Sequence, residues 1–401
     1  MKILLLNLYY PPDTSATAKM AHTVVEAICV HHHVTLLCGR PSYDPTERRP
    51  WRMYQTENAG LVRIIRAGST AFPRFNMKKR LVNYLSYVWL AVPRALFLDC
   101  DAVLAMTDPP FQGIVGALVA MLKRKPYANN IRDLYPDMAV GGDIVRHGLL
   151  GRLWERMHRW ALRRAKCVIV LGEDMRARII AKGVEPARVV VIRDGVELPK
   201  STQALTSPDP EVIRAIRRGF SFVLLHAGNL GFYGAWNSLI TAARKLASDG
   251  VGLVFVGGGA LRAELETAAT GAENIHFLDY FPSNKIPSVL VAADAHIVTI
   301  KRGLEGVVVP SKMYGILAAG KPIVAVAPQE TDVVSLGAKQ GFAVSADPDS
   351  PGDLANVVRR LMADVSKLRA MGEAARNAAP SYERSAELQK YLDVFEHLAA
   401  R

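Results

Sequence analysis

Short runs apolar on both faces alternate with helical patterns along almost all of this 401-residue chain. Residues 3–7, 34–38, 62–66, 102–106, 127–130, 167–171 and 189–193 read as strands. Helical periodicity falls at 16–30, about 78–98, 111–123, 150–164 and 174–182. A strand with no polar face must be covered on both sides, and the intervening helices supply the cover, so the pattern requires a mainly parallel sheet between helical layers. Residues 197–212 break the rhythm with Pro199, Pro208 and Pro210 among Ser, Thr and Asp, the composition of a domain boundary. It then restarts, with strands at 222–226, 253–256, 275–278, 295–300, 323–326 and 342–344. Helices are expected at 235–247, 260–268, 285–293, 311–319, 351–363, 367–378 and 383–399. The chain is too long for one ordinary core. The expectation is α/β with two doubly wound Rossmann-like domains: 1–197, 198–380, and a terminal helix at 381–401 that packs back on the first.

Residues 301–325 carry the sharpest chemical signal. Pro310-Ser311-Lys312 opens a short helix, Gly320 with Lys321-Pro322 closes it, and a buried strand follows. Free N–H groups, the positive end of the helix dipole and the Lys312 ammonium would converge to form an anion site. Two glycine turns at strand ends, Gly228-Asn229-Leu230-Gly231 and Gly257-Gly258-Gly259, share that rim, where open α/β sheets bind ligands. Glu305, in the preceding loop, is placed to accept hydrogen bonds from sugar or ribose hydroxyls or else to face water. Lys301 and Arg302 would add positive charge toward a diphosphate or face water.

The first half has its own strand-end loops. Thr14 and Ser15 follow the first strand, and Ser15 and its neighbours also fit a helix cap. Asp108 follows another strand. Arg132 and Asp133 follow the strand at 127–130, where they would position an acceptor or relay a proton, or pair to shape the turn. His31-His32-His33 alternates faces as it enters a strand and cannot readily share one ion. Asp99/Asp101 and Asp347/Asp349 read as structural, so no metal site is expected.

Charge is uneven. Residues 1–197 carry 29 Lys and Arg against 17 Asp and Glu, and the remainder 21 against 20. A basic half points to an anionic partner: a membrane surface, a nucleic acid or a phosphorylated substrate. No recognised nucleic-acid motif accompanies the charge. Arg74 and Lys78-Lys79-Arg80 lead into Leu81-Val82-Asn83-Tyr84-Leu85-Ser86-Tyr87-Val88-Trp89, a basic start on an apolar helix, as in interfacial elements. A second basic helix, 152–166, would widen that face. No apolar run reaches the length of a membrane span. The four scattered cysteines suit a reducing compartment.

Taken together, several segments resemble the glycosyltransferase family 4 group with the GT-B fold, in particular its bacterial exopolysaccharide and O-antigen (colanic-acid and fucosamine-transferase-like) subset. They are Lys2-Ile-Leu-Leu-Leu-Asn with Tyr10-Pro11-Pro12, Asp133-Leu-Tyr-Pro136, Arg193-Asp194-Gly195-Val196, His226-Ala-Gly-Asn-Leu-Gly231, and Val309-Pro310-Ser311-Lys312-Met-Tyr-Gly-Ile-Leu-Ala-Ala-Gly320-Lys-Pro322. The resemblance implies two domains facing across a cleft and transfer of a sugar from a nucleotide-diphosphate sugar with retention at the anomeric carbon. It implies neither metal nor other cofactor. Donor-binding residues would be Gly228, Asn229, Leu230, Gly231, Gly257, Gly258, Lys301, Glu305, Val309, Pro310, Ser311 and Tyr314. Thr14, Ser15, Asp108 and Arg132 would bind the acceptor, and Lys312, Arg302 and Asp133 would be catalytic. The chain departs from the family at the Glu-x7-Glu pair, whose places fall on Val307 and Gly315. A family Arg and Lys appear as Asn229 and Gly234, and a His as Arg132. The expected acceptor is a polyprenyl-diphosphate-linked saccharide, with the enzyme cytoplasmic and peripheral on an anionic inner membrane face. The alternatives are a GT-B-fold sugar-nucleotide epimerase and a catalytically inactive partner that binds a nucleotide sugar.

Overall fold

The computed structural model describes residues 1–42, 51–72, 77–142, 148–198 and 207–399. It divides into two compact units, Met1–Asp194 with Ser385–Arg401, and Gly195–Arg384.

In the first unit the chain runs β1 (Lys2–Leu6), α1 (Ala16–Ile28), β2 (His33–Gly39), β3 (Tyr54–Ala59), β4 (Val62–Ala67), α2 (Met77–Phe97) and β5 (Ala102–Ala105). It continues through α3 (Gln112–Lys123), β6 (Tyr127–Asn130), α4 (Asp137–Gly141), α5 (Leu149–Arg164), β7 (Cys167–Val170), α6 (Glu173–Ala181) and β8 (Val189–Val191). The sheet order is β3-β4-β2-β1-β5-β6-β7-β8, parallel except for β3 against β4. The central strands are apolar throughout because both faces are covered: Ile3 to Leu6 and Ala102 to Ala105 are all buried. Strand order reverses between β1 and β5, so the loops after these strands and after β6 flank the switch point, where doubly wound sheets open a crevice. Each of those loops contains a cis peptide, at Pro11-Pro12, Asp108-Pro109 and Tyr135-Pro136.

The second unit contains α7 (Pro210–Arg217), β9 (Phe222–Ala227), α8 (Trp236–Lys245), β10 (Val251–Val256), α9 (Arg262–Ala268), β11 (Ile275–Leu278) and α10 (Ile286–Ala292). β12 (Ala295–Thr299), α11 (Lys312–Ala318), β13 (Ile323–Val326), α12 (Asp332–Gln340), β14 (Ala343–Ala346), α13 (Pro351–Ala363) and α14 (Val365–Ala378) complete it. All neighbouring strands are parallel, in the order β11-β10-β9-β12-β13-β14, with the switch point between β9 and β12. A last helix, α15 (Arg384–Ala399), returns to the first unit. Its Tyr391, Val394 and Phe395 join the core beneath β6 and β7, and Asn130 Nδ2 donates to the Tyr391 hydroxyl at 2.6 Å.

The expected strands and long helices are present, with ends shifted by one or two residues, and four elements were not anticipated. β3, with sequence Tyr-Gln-Thr-Glu-Asn-Ala, is a half-exposed edge strand with no apolar run to reveal it. The short helix α4 and the amphipathic α12 are likewise additional to the expected elements. α7 lies partly inside the segment taken as a linker. There Asp209 accepts from the Glu211 and Val212 amides and Pro210 occupies the first turn, so prolines read as a break instead begin a helix. Pro199 and Arg74 lie outside the described residues. Among those described, no helix is long and apolar enough to cross a membrane, and no three His, Cys, Asp or Glu side chains group as a metal site requires.

Candidate active site

In the second unit the two glycine turns lie side by side because β9 and β10 are neighbours. The Gly228 amide donates to the Val256 carbonyl, and the Leu230 amide to that of Gly258, both at 2.8 Å. Gly228 and Gly257 have φ of +140° and +139°, and a Cβ on Gly257 would lie 2.2 Å from the Gly228 carbonyl oxygen. Backbone approach this close is open only to glycine. β12 borders β9 on the other side, and the chain leaving it reaches Lys312 at the start of α11. A Cβ on Gly228 would lie 3.3 Å from Lys312 Nζ, so the ammonium sits over the turn at the switch point.

Lys312 Nζ lies 2.9 Å from His226 Nε2 and donates to the Tyr233 hydroxyl at 3.3 Å, 5.6 Å from the centre of that ring. His226, at the buried end of β9, is pushed well below the ordinary imidazole range by burial and then by Lys312. It is neutral, and with the proton on Nδ1 its Nε2 is an acceptor for a lysine N–H. Trp236 meets the His226 ring edge-on at 4.8 Å, and its indole N–H donates to the Gly231 carbonyl at 2.7 Å, holding ring and turn together. No carboxylate forms an ion pair with Lys312 among the described residues, and burial lowers its ammonium to about 7. Lys312 is therefore a titrating group at neutral pH rather than a fixed cation. An incoming anion would favour the charged form.

Other predicted donor residues are placed differently. Arg302 is exposed and held by Asp347 Oδ1 (2.9 Å) and Asp349 Oδ2 (2.6 Å), so its charge is already matched and points to that pair. Glu305 accepts from the Gly303 amide at 2.7 Å, shaping its own loop. The helix start is less open than expected. α11 has seven residues, Ser311 makes no side-chain cap, and the Met313 and Tyr314 amides bond back to the carbonyls of Pro310 and Ser311. Tyr314 is buried against Tyr382, with ring centres 5.3 Å apart, and the Leu230 side chain is in the core; both support the site from behind. Asn229, Gly231, Gly258, Lys301, Val309 and Pro310 remain in the loops around Lys312, and the Lys301 amide is tied to the Tyr233 carbonyl at 2.7 Å. The sequence pattern does not single out His226 or Tyr233 as site residues. A lone polar residue ending an apolar strand was the available signal for His226.

In the first unit the switch-point loops gather Asp108, Asp133 and Tyr135. Asp133 is pushed up to about 6, first by burial and then by the neighbouring Asp108 carboxylate. A carboxyl in that range can accept a hydrogen bond from a hydroxyl at neutral pH and titrates just below it. Arg80 donates to the Tyr84 hydroxyl. Arg132, expected at the acceptor or against Asp133, is instead buried with Nη2 on both carboxylate oxygens of Asp194, at 2.5 and 2.6 Å. Its Nη1 is buried with no hydrogen-bond partner among the described residues. Arg132 thus ties the end of β6 to the end of the unit's continuous segment. Ser15 caps α1 by accepting from the Ala18 amide at 3.0 Å, which consumes its hydroxyl locally; Thr14 is exposed beside it.

The two units match two separate domain families. A glycosyl transferase 4-like domain spans residues 16–195, and a glycosyl transferases group 1 domain spans residues 216–378. The chain is 24% identical over 381 residues to the putative colanic acid biosynthesis glycosyl transferase WcaI of Escherichia coli K12, covering 90% of this chain and 92% of that one. Among solved structures, a sucrose-phosphate synthase of Thermosynechococcus elongatus superposes with a TM-score of 0.75 at 15% identity, covering 100% of this chain and 99% of that one. The Anabaena protein HepE in complex with UDP-glucose superposes with a TM-score of 0.67 at 18% identity and full coverage of both. Domain families that together account for most of the sequence, and a fold shared along its full length, show that the chain is a glycosyltransferase of the GT-B fold and belongs to family 4.

Proposed function

We propose that the protein transfers a sugar from a nucleotide-diphosphate sugar, held on the second unit, to a saccharide hydroxyl held by the first, with retention at the anomeric carbon. Lys312 over the Gly228 turn carries this reading: a lysine with no carboxylate partner among the described residues, beside backbone that only glycine can supply. The bond from the anomeric carbon to the diphosphate breaks, and charge grows on the departing phosphate oxygen, where protonated Lys312 stabilises it. The acceptor hydroxyl, oriented by Asp133, attacks from the same side, and its proton passes to the departing phosphate. The UDP-glucose bound by HepE and the polysaccharide role in the name of WcaI support a nucleotide sugar and a surface saccharide.

The acceptor we propose is lipid-linked and met at an anionic membrane face. α3 packs between α2 and α5, and the three helices leave an apolar strip outward. Trp89 and Phe97 of α2 are 80% and 85% exposed and Leu150 of α5 81%, with Leu81, Leu85, Leu122 and Leu153 also exposed. Arg152, Arg156 and Arg163 line a basic groove along α5. Large apolar side chains interleaved with cations suit a headgroup region.

Incubation with labelled donor, with and without a lipid-linked acceptor, tests the reaction. Glycosylated acceptor with the donor's anomeric configuration supports it. An epimerised nucleotide sugar formed without acceptor would replace it with the epimerase reading. Vesicle binding should weaken as salt rises; salt-independent binding would remove the electrostatic part.

A further inference from the structure

A cavity of about 740 Å³ opens in the first unit where β6 and β7 begin, at the opposite end of those strands from the loops carrying Asp108 and Asp133. Its volume is that of a small-molecule site. Ala117 and Ala120 of α3, Tyr127, Cys167, and Val394 and Leu398 of α15 give it an apolar floor. The polar ends of that floor are already quenched. The Tyr127 hydroxyl donates to the Gly113 carbonyl at 2.7 Å, and burial pushes the Cys167 thiol up to about 12, so it stays uncharged.

The rim has the opposite character. Arg124, Lys125, Arg164 and Lys166 line it, and no carboxylate forms an ion pair with any of them among the described residues. Arg164 lies over the Trp160 ring at 5.6 Å. Arg188 and Lys390, also on the rim, are matched by Glu185 (3.0 Å) and Glu387 (2.8 Å), and Asp393 adds one lining carboxylate. Arg124 occupies a left-handed position after α3, φ +53°, where glycine is the ordinary residue. An apolar ligand would leave the four exposed rim cations to solvent alone, and a bare anion would leave the floor unfilled.

We infer that this cavity binds an anionic amphiphile, a phosphate monoester on a long alkyl or isoprenoid chain. The chain lies on the apolar floor and the phosphate meets Arg124, Lys125, Arg164 and Lys166. Met121 lines the cavity and is also exposed on α3, so the mouth opens beside the outward apolar strip, from which a lipid would enter. The site is separate from the transfer chemistry and stands whether or not the proposed acceptor is correct.

The test is calorimetric titration of the full chain with decyl phosphate below its micelle concentration, beside decanol and inorganic phosphate. Decyl phosphate should bind at least about tenfold more tightly than either, the scale of a few charge-assisted hydrogen bonds added to chain burial. R164E/K166E should weaken it about tenfold or more, and Ala187→Trp, placed at the exposed rim, should exclude the chain. Both variants should keep the wild-type thermal shift with nucleotide sugar, which shows the fold intact. Equal binding of decanol, equal binding of inorganic phosphate, or full affinity in R164E/K166E would each overturn the assignment.

Discussion

The two switch points carry different loop chemistry on the same topology. In the second unit the strand ends offer backbone and one lysine: glycine turns at φ near +140°, with Lys312 against His226 and Tyr233. In the first unit the corresponding loops offer side chains, with Asp108, Asp133 and Tyr135 gathered and Asp133 raised to about 6. A lysine over closely approachable glycine backbone suits a ligand rich in negative oxygens, whereas carboxylates and phenols suit one rich in hydroxyls. On the proposed reading, the same sheet architecture separates an anion-holding end from a hydroxyl-orienting end through loop chemistry alone.

The comparison breaks most sharply at Lys312. Lys312→Ala should lower kcat by about 10²–10³-fold with the fold retained by circular dichroism, because a preorganised charge on the leaving group is removed. Unchanged turnover would leave the second unit without its anion-holding role. Asp133→Asn should lower kcat/KM by about 10²-fold and erase an acid limb near pH 6 in the wild-type rate profile. A limb that persists in the variant would place the titrating group elsewhere.

Proton linkage sharpens the contrast. Lys312 titrates near 7 in the folded chain against 10.5 for an ordinary lysine. Between those values the unfolded state binds the proton and the native state does not. This group's contribution to stability therefore rises with pH through that window, and its full cost is present below 7. A diphosphate prefers the protonated form, so donor affinity should fall as pH rises above about 7, by up to about tenfold per unit for one proton. Donor binding above pH 7 should take up a proton, read by titration in buffers of different ionisation heat, and Lys312→Ala should abolish the uptake. A pH-independent affinity would mean that Lys312 is never relieved of its charge. The smallest expected effect is structural. Gly257→Ala, with its Cβ 2.2 Å from the Gly228 carbonyl, should cost about 1–3 kcal/mol by thermal unfolding, whereas Gly258→Ala, next to the Tyr280 ring at 3.5 Å, should cost less.

Much of the fold was legible because a strand buried on both faces has no polar alternation, and that signal survives in one sequence. β3 was hidden because an edge strand needs no apolar run, and α7 because Pro210 opens a helix as readily as it ends one. The site was legible wherever glycine or proline marks the backbone. It was less legible where function turns on a side chain's partner. Arg302 and Arg132 looked available, but one is held by Asp347 and Asp349 and the other by Asp194, more than 40 residues away in each case.

The amino-acid order therefore determined the repeating strand–helix architecture, the glycine turns and the presence of a lysine at the start of α11, since each follows from local geometry and periodic burial. Only the tertiary structure decided that Lys312 sits half-buried against a neutral histidine, that two carboxylates share the first unit's switch point, and that α15 completes the first core. Proton affinity and ion pairing depend on what lies across the fold, and chain distance carries no information about that.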